Sequence, residues 1–112
     1  MQDFADKRVF ERFSVQLPMR CLNLDSSREF TAQTSDISAN GIGLTTGERL
    51  GRQNPVEMWL SIPDKGHPLY ARANVIWSNM IEPNKYRVGL RLEKANLMGL
   101  SRVLRIIDTR QD

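Results

Sequence analysis

The chain has 112 residues, a formal net charge of +3, 40% hydrophobic residues and 26% charged residues. These values describe one globular domain with one modest core, and they exclude a disordered chain and the dense positive field of a dedicated nucleic-acid binder. Cys21 and His67 are the only residues of their kinds, so an intrachain disulfide is impossible and a zinc site lacks ligands.

Residues 1–12 hold three basic side chains (Lys7, Arg8, Arg12) and three acidic ones (Asp3, Asp6, Glu11), with no apolar run of the signal-peptide kind. They are expected to form a flexible N-terminal segment ahead of a domain over 13–112. No later stretch is apolar and long enough to cross a bilayer, so a cytoplasmic protein without membrane insertion is expected.

From Phe13 the apolar residues alternate through Val15, Leu17, Met19 and Cys21, which predicts a first strand with one buried face. Pro18 within it points to an edge or a bulge. Asp25-Ser26-Ser27 is a turn cluster, and a second strand follows over 28–35, with Phe30 and Ala32 on one side. Residues 36–41 interrupt it before a short third strand, 42–46. A fourth strand buries Val56, Met58, Leu60 and Ile62 and leaves Trp59 on the other face. After the turn Pro63-Asp64-Lys65-Gly66, a fifth strand puts Leu69, Ala71, Ala73, Val75 and Trp77 on one side, which makes Trp77 a core residue. Residues 79–85, around Pro83-Asn84, form the next turn. The sixth strand carries Tyr86, Val88, Leu90 and Leu92 inward, with Arg87 and Arg91 outward. Beyond Glu93 the spacing becomes helical at Leu97, Leu100, Leu104 and Ile107. The chain is therefore expected to be mainly β: a six-stranded antiparallel β-barrel with a C-terminal amphipathic α-helix across one opening, because short strands need closure or cover for their edges.

Two patterns carry the chemistry. Arg8-Val9-Phe10-Glu11-Arg12 is an RxxxR just before the first strand, and Asp36-Ile37-Ser38-Ala39-Asn40-Gly41 is a DxSxxG after the second. Taken singly, the first reads as a solvated charged tail and the second as an ordinary turn. Together, in this order, they resemble the PilZ family. The resemblance extends over nearly the whole chain, including the late-strand segment Val88-Gly89-Leu90-Arg91-Leu92.

That resemblance implies a bacterial receptor for cyclic di-GMP, with the dinucleotide as ligand and no cofactor. Arg8 and Arg12 would bring guanidinium forks that match a phosphate or the O6/N7 edge of guanine. Asp36 would accept hydrogen bonds from guanine N1–H and N2–H₂, and Ser38 would add a hydroxyl. Gly41 would let the backbone bend through positive φ or approach the base closely. Lys7, a basic residue ahead of RxxxR, and Trp77, beside the bound base, are implied by the resemblance alone. It further implies signalling to a partner protein, and ligand binding would order the N-terminal segment; a monomer or weak dimer is expected. The alternative within the fold is a protein–protein adaptor that binds no nucleotide, but adaptors of that kind usually lack one motif and this chain has both. A nucleic-acid-binding barrel would need aromatic platforms interleaved with basic residues. The two Trp, two Tyr and four Phe fall mostly on apolar faces. No nucleophile–base pair, metal cluster or phosphate-cradling loop points to an enzyme. Arg72, Arg87 and Arg91 read as a basic face or as salt-bridged strand surface.

Overall fold

The computed structural model describes residues 12–38, 40–93, 102, 103 and 105. Its strands are β1 (Phe13–Ser14), β2 (Pro18–Asn23), β3 (Arg28–Ile37), β4 (Gly41–Thr46), β5 (Pro55–Leu60), β6 (Leu69–Glu82) and β7 (Lys85–Leu92). Every pairing is antiparallel. The order β3-β2-β5-β6-β7-β4 closes on itself because β3 also pairs with β4, so six strands make a barrel without a free edge. β1 lies outside that ring as a short addition to β3.

Alternation builds the interior. Met19 and Cys21 of β2, Val56, Met58 and Leu60 of β5, and Val88 and Leu90 of β7 all point inward and are buried. Each such side chain contributes on the order of 1.5–3 kcal/mol by leaving water. Cys21 is 1% exposed, and burial pushes its thiol up to about 12, so it packs as a small neutral hydrophobe. Asn23 is buried too, but its Oδ1 accepts from the Asp25 and Ser26 amides and from Asn54 Nδ2, which ties the β2–β3 turn to the loop before β5.

Several sequence expectations shift. The first strand is not continuous. Val15–Leu17 leave the ladder, and Thr34 bridges the gap: its Oγ1 donates to Val15 O and accepts from Leu17 N. β1 and β2 therefore occupy successive stretches of β3. Pro18 sits on neither an edge nor a bulge; it opens β2, where a missing N–H is tolerated. β3 runs on to Ile37, so Asp36 lies in a strand rather than a turn. β4 begins one residue earlier than expected, and β5 stops at Leu60. β6 continues to Glu82, and the expected turn over 79–85 shrinks to Pro83-Asn84, with Asn84 at φ 63.

The expected C-terminal helix lies outside the described residues except for Arg102, Val103 and Arg105, whose backbone is helical. Val103 is buried in the core. Arg102 grips the β5–β6 turn, donating from Nε to Asp64 Oδ2 at 2.6 Å and from Nη2 to Oδ1 at 2.7 Å. That fork, with the Gly66 amide, holds the Asp64 carboxyl well below the usual carboxylate range. Among the described residues no helix is long and apolar enough to cross a membrane.

Candidate ligand-binding site

Two bulges create the site. Thr34 pairs with Leu44, and the next pair is Asp36 with Gly43, so Ser35 and Asp36 together oppose one glycine. Without the extra residue, Asp36 would continue the inward phase of Phe30, Ala32 and Thr34. With it, Ile37 turns into the core at 3% exposure and Asp36 turns outward. β6 repeats the device: Val75 pairs with Leu90 and Trp77 with Gly89, leaving Ile76 as the additional residue. Trp77 is consequently 42% exposed, which corrects its assignment to the core.

The result is one row of register partners across four strands on the outer surface: Asp36, Gly43, Gly89 and Trp77. Three strand spacings separate its ends, roughly 14 Å. The two glycines form a floor on which neighbouring side chains lie closely: a Cβ on Gly43 would stand 2.7 Å from Asp36 Oδ1, and one on Gly89 would overlap the Trp77 ring. Above the floor lies an open cavity of about 440 Å³, with Arg12, Asp36, Ser38, Gly41 and Trp77 in its walls.

β1 delivers Arg12 to this cavity. Phe13 pairs with Ile37 and Ser14 with Asp36, and Arg12 Nη1 donates to Asp36 Oδ1 at 2.5 Å. Ser38 closes the turn into β4: its amide donates to Gly41 O at 2.9 Å, and its Oγ accepts from the Gly41 amide at 3.2 Å. Gly41 does not use positive φ, contrary to one expectation; a Cβ there would stand 2.7 Å from Leu90 O, so glycine is needed for close approach to β7. The structure thus brings Arg12, Asp36, Ser38, Gly41 and Trp77 around one space. Lys7 and Arg8 lie outside the described residues. Sequence reasoning noted Gly89 in the late-strand segment and Arg87 on a basic face but assigned neither to the site, and it passed over Gly43 and Ser35; all four line the cavity. The available signal was glycine in mid-strand, which marks a close approach from above. Among the described residues no cluster of three or more His, Cys, Asp or Glu side chains is placed to hold a metal ion.

The barrel has solved counterparts. The inhibitor of motility from Bacillus subtilis superposes with a TM-score of 0.69 at 17% identity, over 91% of this chain and 50% of that one. The present chain spans half of that protein's length. The PilZ domain of CeSA from a cellulose-synthesizing bacterium gives 0.64 at 21% identity, over 91% and 99%. The PilZ domain of YcgR from Escherichia coli, solved with cyclic di-GMP, gives 0.71 at 13% identity, over 91% and 92%. At these identities the likeness is one of fold. No curated protein sequence matches the chain. A family model for the PilZ domain matches residues 6–108, nearly the full length and both motifs, and the chain belongs to that family.

Proposed function

We propose that the chain is a receptor for cyclic di-GMP that signals to a partner protein by ordering its N-terminal segment. The observation that carries this reading is the row Asp36–Gly43–Gly89–Trp77 with Arg12 at its acidic end. An acceptor laid over one glycine and an aromatic ring laid over the other, at the wall of an open cavity, suit a flat purine that offers donors on one edge. Asp36 accepts from guanine N1–H and N2–H₂, and the Trp77 indole lies beside the base. Arg12 moves from Asp36 to a phosphate or to guanine O6 and N7, joined there by Arg8. The Arg12–Asp36 pair is solvent-accessible, 58% and 26% exposed, so parting it costs at most about 1 kcal/mol. The ligand offers each half a replacement. With both arginines engaged, residues 8–12 are held against the barrel and present a new surface to the partner. The presence of cyclic di-GMP in the YcgR PilZ domain supports the choice of ligand. PilZ domains bind and regulate, in keeping with a non-enzymatic role.

Titration calorimetry with cyclic di-GMP tests the reading on wild type and on Arg8→Ala, Arg12→Ala and Asp36→Ala. Each substitution removes a charge-assisted hydrogen bond and is expected to weaken binding about 10-fold or more. The melting temperature of Asp36→Ala should stay close to that of wild type. Absence of heat with the wild-type protein, or equal affinities throughout, would sink the assignment; a collapse in melting temperature for Asp36→Ala would make it a structural residue.

A further inference from the structure

Arg87 lies on β7, two residues from Gly89 and on the same outer side of the sheet, flanked by Thr45 of β4 and Asn79 of β6. It lines the cavity over the glycine floor. It also lines a second cavity of about 490 Å³, walled by Ser14, Gln16, Gln33 and Ser35. Its side chain therefore stands on the divide between the two spaces.

Two observations set this position apart from an ordinary exposed strand arginine. The first is an unpaired guanidinium at a cavity wall. Arg12, Arg28, Arg72 and Arg102 each face a carboxylate; Arg87, like Arg20, Arg49, Arg52 and Arg91, has no ion-pair partner among the described residues, but of these five it is the one that lines the two cavities. The second is Ser35, the bulge residue on the same divide. Its Oγ is buried without a hydrogen-bond partner among the described residues, a state that costs about 1–3 kcal/mol while it lasts. That oxygen lies 3.0 Å from where a Gly43 Cβ would be, so it faces the floor beside Asp36. A guanidinium with unused donors and a hydroxyl with an unused hydrogen, near one space, complement an anion with several acceptor oxygens. Among the described residues no carboxylate lines the second cavity, which argues against a cation there.

We infer that Arg87 and Ser35 form a second anion subsite that takes a phosphodiester of the cyclic dinucleotide. The inference rests on the receptor reading above and adds a contact that belongs to the barrel wall rather than to the N-terminal motif. Because the sheet holds it, the position of this subsite does not depend on the N-terminal motif.

The test is calorimetric titration of cyclic di-GMP into wild type, Arg87→Ala, Arg87→Lys and Ser35→Ala, at low and moderate salt, with melting curves for each. Arg91→Ala removes the same charge from β7 outside the cavity lining and serves as the control. Arg87→Ala is expected to bind about 10-fold more weakly or worse, Arg87→Lys to recover only part of the loss because the fork is gone, and Arg91→Ala to stay within about twofold of wild type. Weaker binding at constant stoichiometry assigns the phosphate to the one bound molecule. A fall from two ligands to one assigns it to a second, stacked copy. Either result supports the subsite. If Arg87→Ala lowers the melting temperature, Arg87→Gln repeats the measurement in a side chain of similar length. Wild-type affinity in the Arg87 variants, alongside a clear Arg12→Ala defect, overturns the subsite and leaves the receptor reading standing; no binding by wild type removes both.

Discussion

Two rows of outward residues cross different walls of the same barrel. On one, Arg20, Trp59 and Tyr70 are register partners on β2, β5 and β6. The Arg20 guanidinium lies 5.3 Å from the Trp59 ring centroid, the Trp59 and Tyr70 rings are 5.5 Å apart, and Tyr70 Oη donates to Glu57 Oε2 at 2.6 Å. On the other, Asp36 and Trp77 flank two glycines and an open cavity. The first row follows unbroken alternation, and its side chains cover one another. The second follows two bulges, and its polar groups face space. Both walls cover the same hydrophobic interior. What separates a filled wall from a receptive one is two additional residues, Ser35 and Ile76, and two missing side chains, at Gly43 and Gly89.

The comparison is open to attack at its most exposed point, the floor. Gly89→Ala puts a methyl group where the indole lies, so Trp77 must swing away. Cyclic di-GMP affinity measured by calorimetry should fall about 100-fold, or about 2.7 kcal/mol, with the circular dichroism spectrum unchanged. Retained affinity would mean that the ligand does not need the indole seated on Gly89, and the contrast between the walls would lose its functional content. A smaller effect is expected on the filled wall. Trp59→Ala should cost about 1–2 kcal/mol in chemical denaturation, through lost aromatic and cation–π contact, and leave ligand affinity within about twofold. A large affinity loss there would show that the walls communicate.

The smallest effect concerns the interior both walls share. The folded state keeps the Cys21 thiol protonated up to about 12, whereas the unfolded thiol ionises near its ordinary value of 9.0. Stability from this source is fully present below that ordinary value and declines as pH rises through the window between the two. Between roughly pH 8 and roughly pH 9.5, wild type should lose on the order of 1 kcal/mol more than Cys21→Ala in denaturant titrations. Parallel curves would place the thiol in contact with water.

The barrel was largely legible in the sequence because alternation is a local signal: Met19 and Cys21, Val56 to Leu60 and Val88 to Leu90 declare their inner face unaided. The site was legible in its residue types and illegible in its geometry. Nothing within Thr34-Ser35-Asp36 or Val75-Ile76-Trp77 marks an extra residue, because a bulge is defined by the register of the partner strand. Strict alternation therefore sent Trp77 inward. The gap at Val15–Leu17 was hidden for a related reason, since its backbone is satisfied by the hydroxyl of Thr34, many positions away. Polar Asn79 and Glu82 resembled a loop, yet they extend β6 as a hairpin closed by Pro83-Asn84. Lys7, Arg8 and most of the expected helix lie outside the described residues.

β1 joins the barrel through only Phe13 and Ser14, against Ile37 and Asp36. Such a junction acts as a rivet rather than a weld. It sets Arg12 at the mouth of the cavity, beside Asp36, through a two-residue pairing. Load carried along β1 is thus borne first by the wall that holds Asp36.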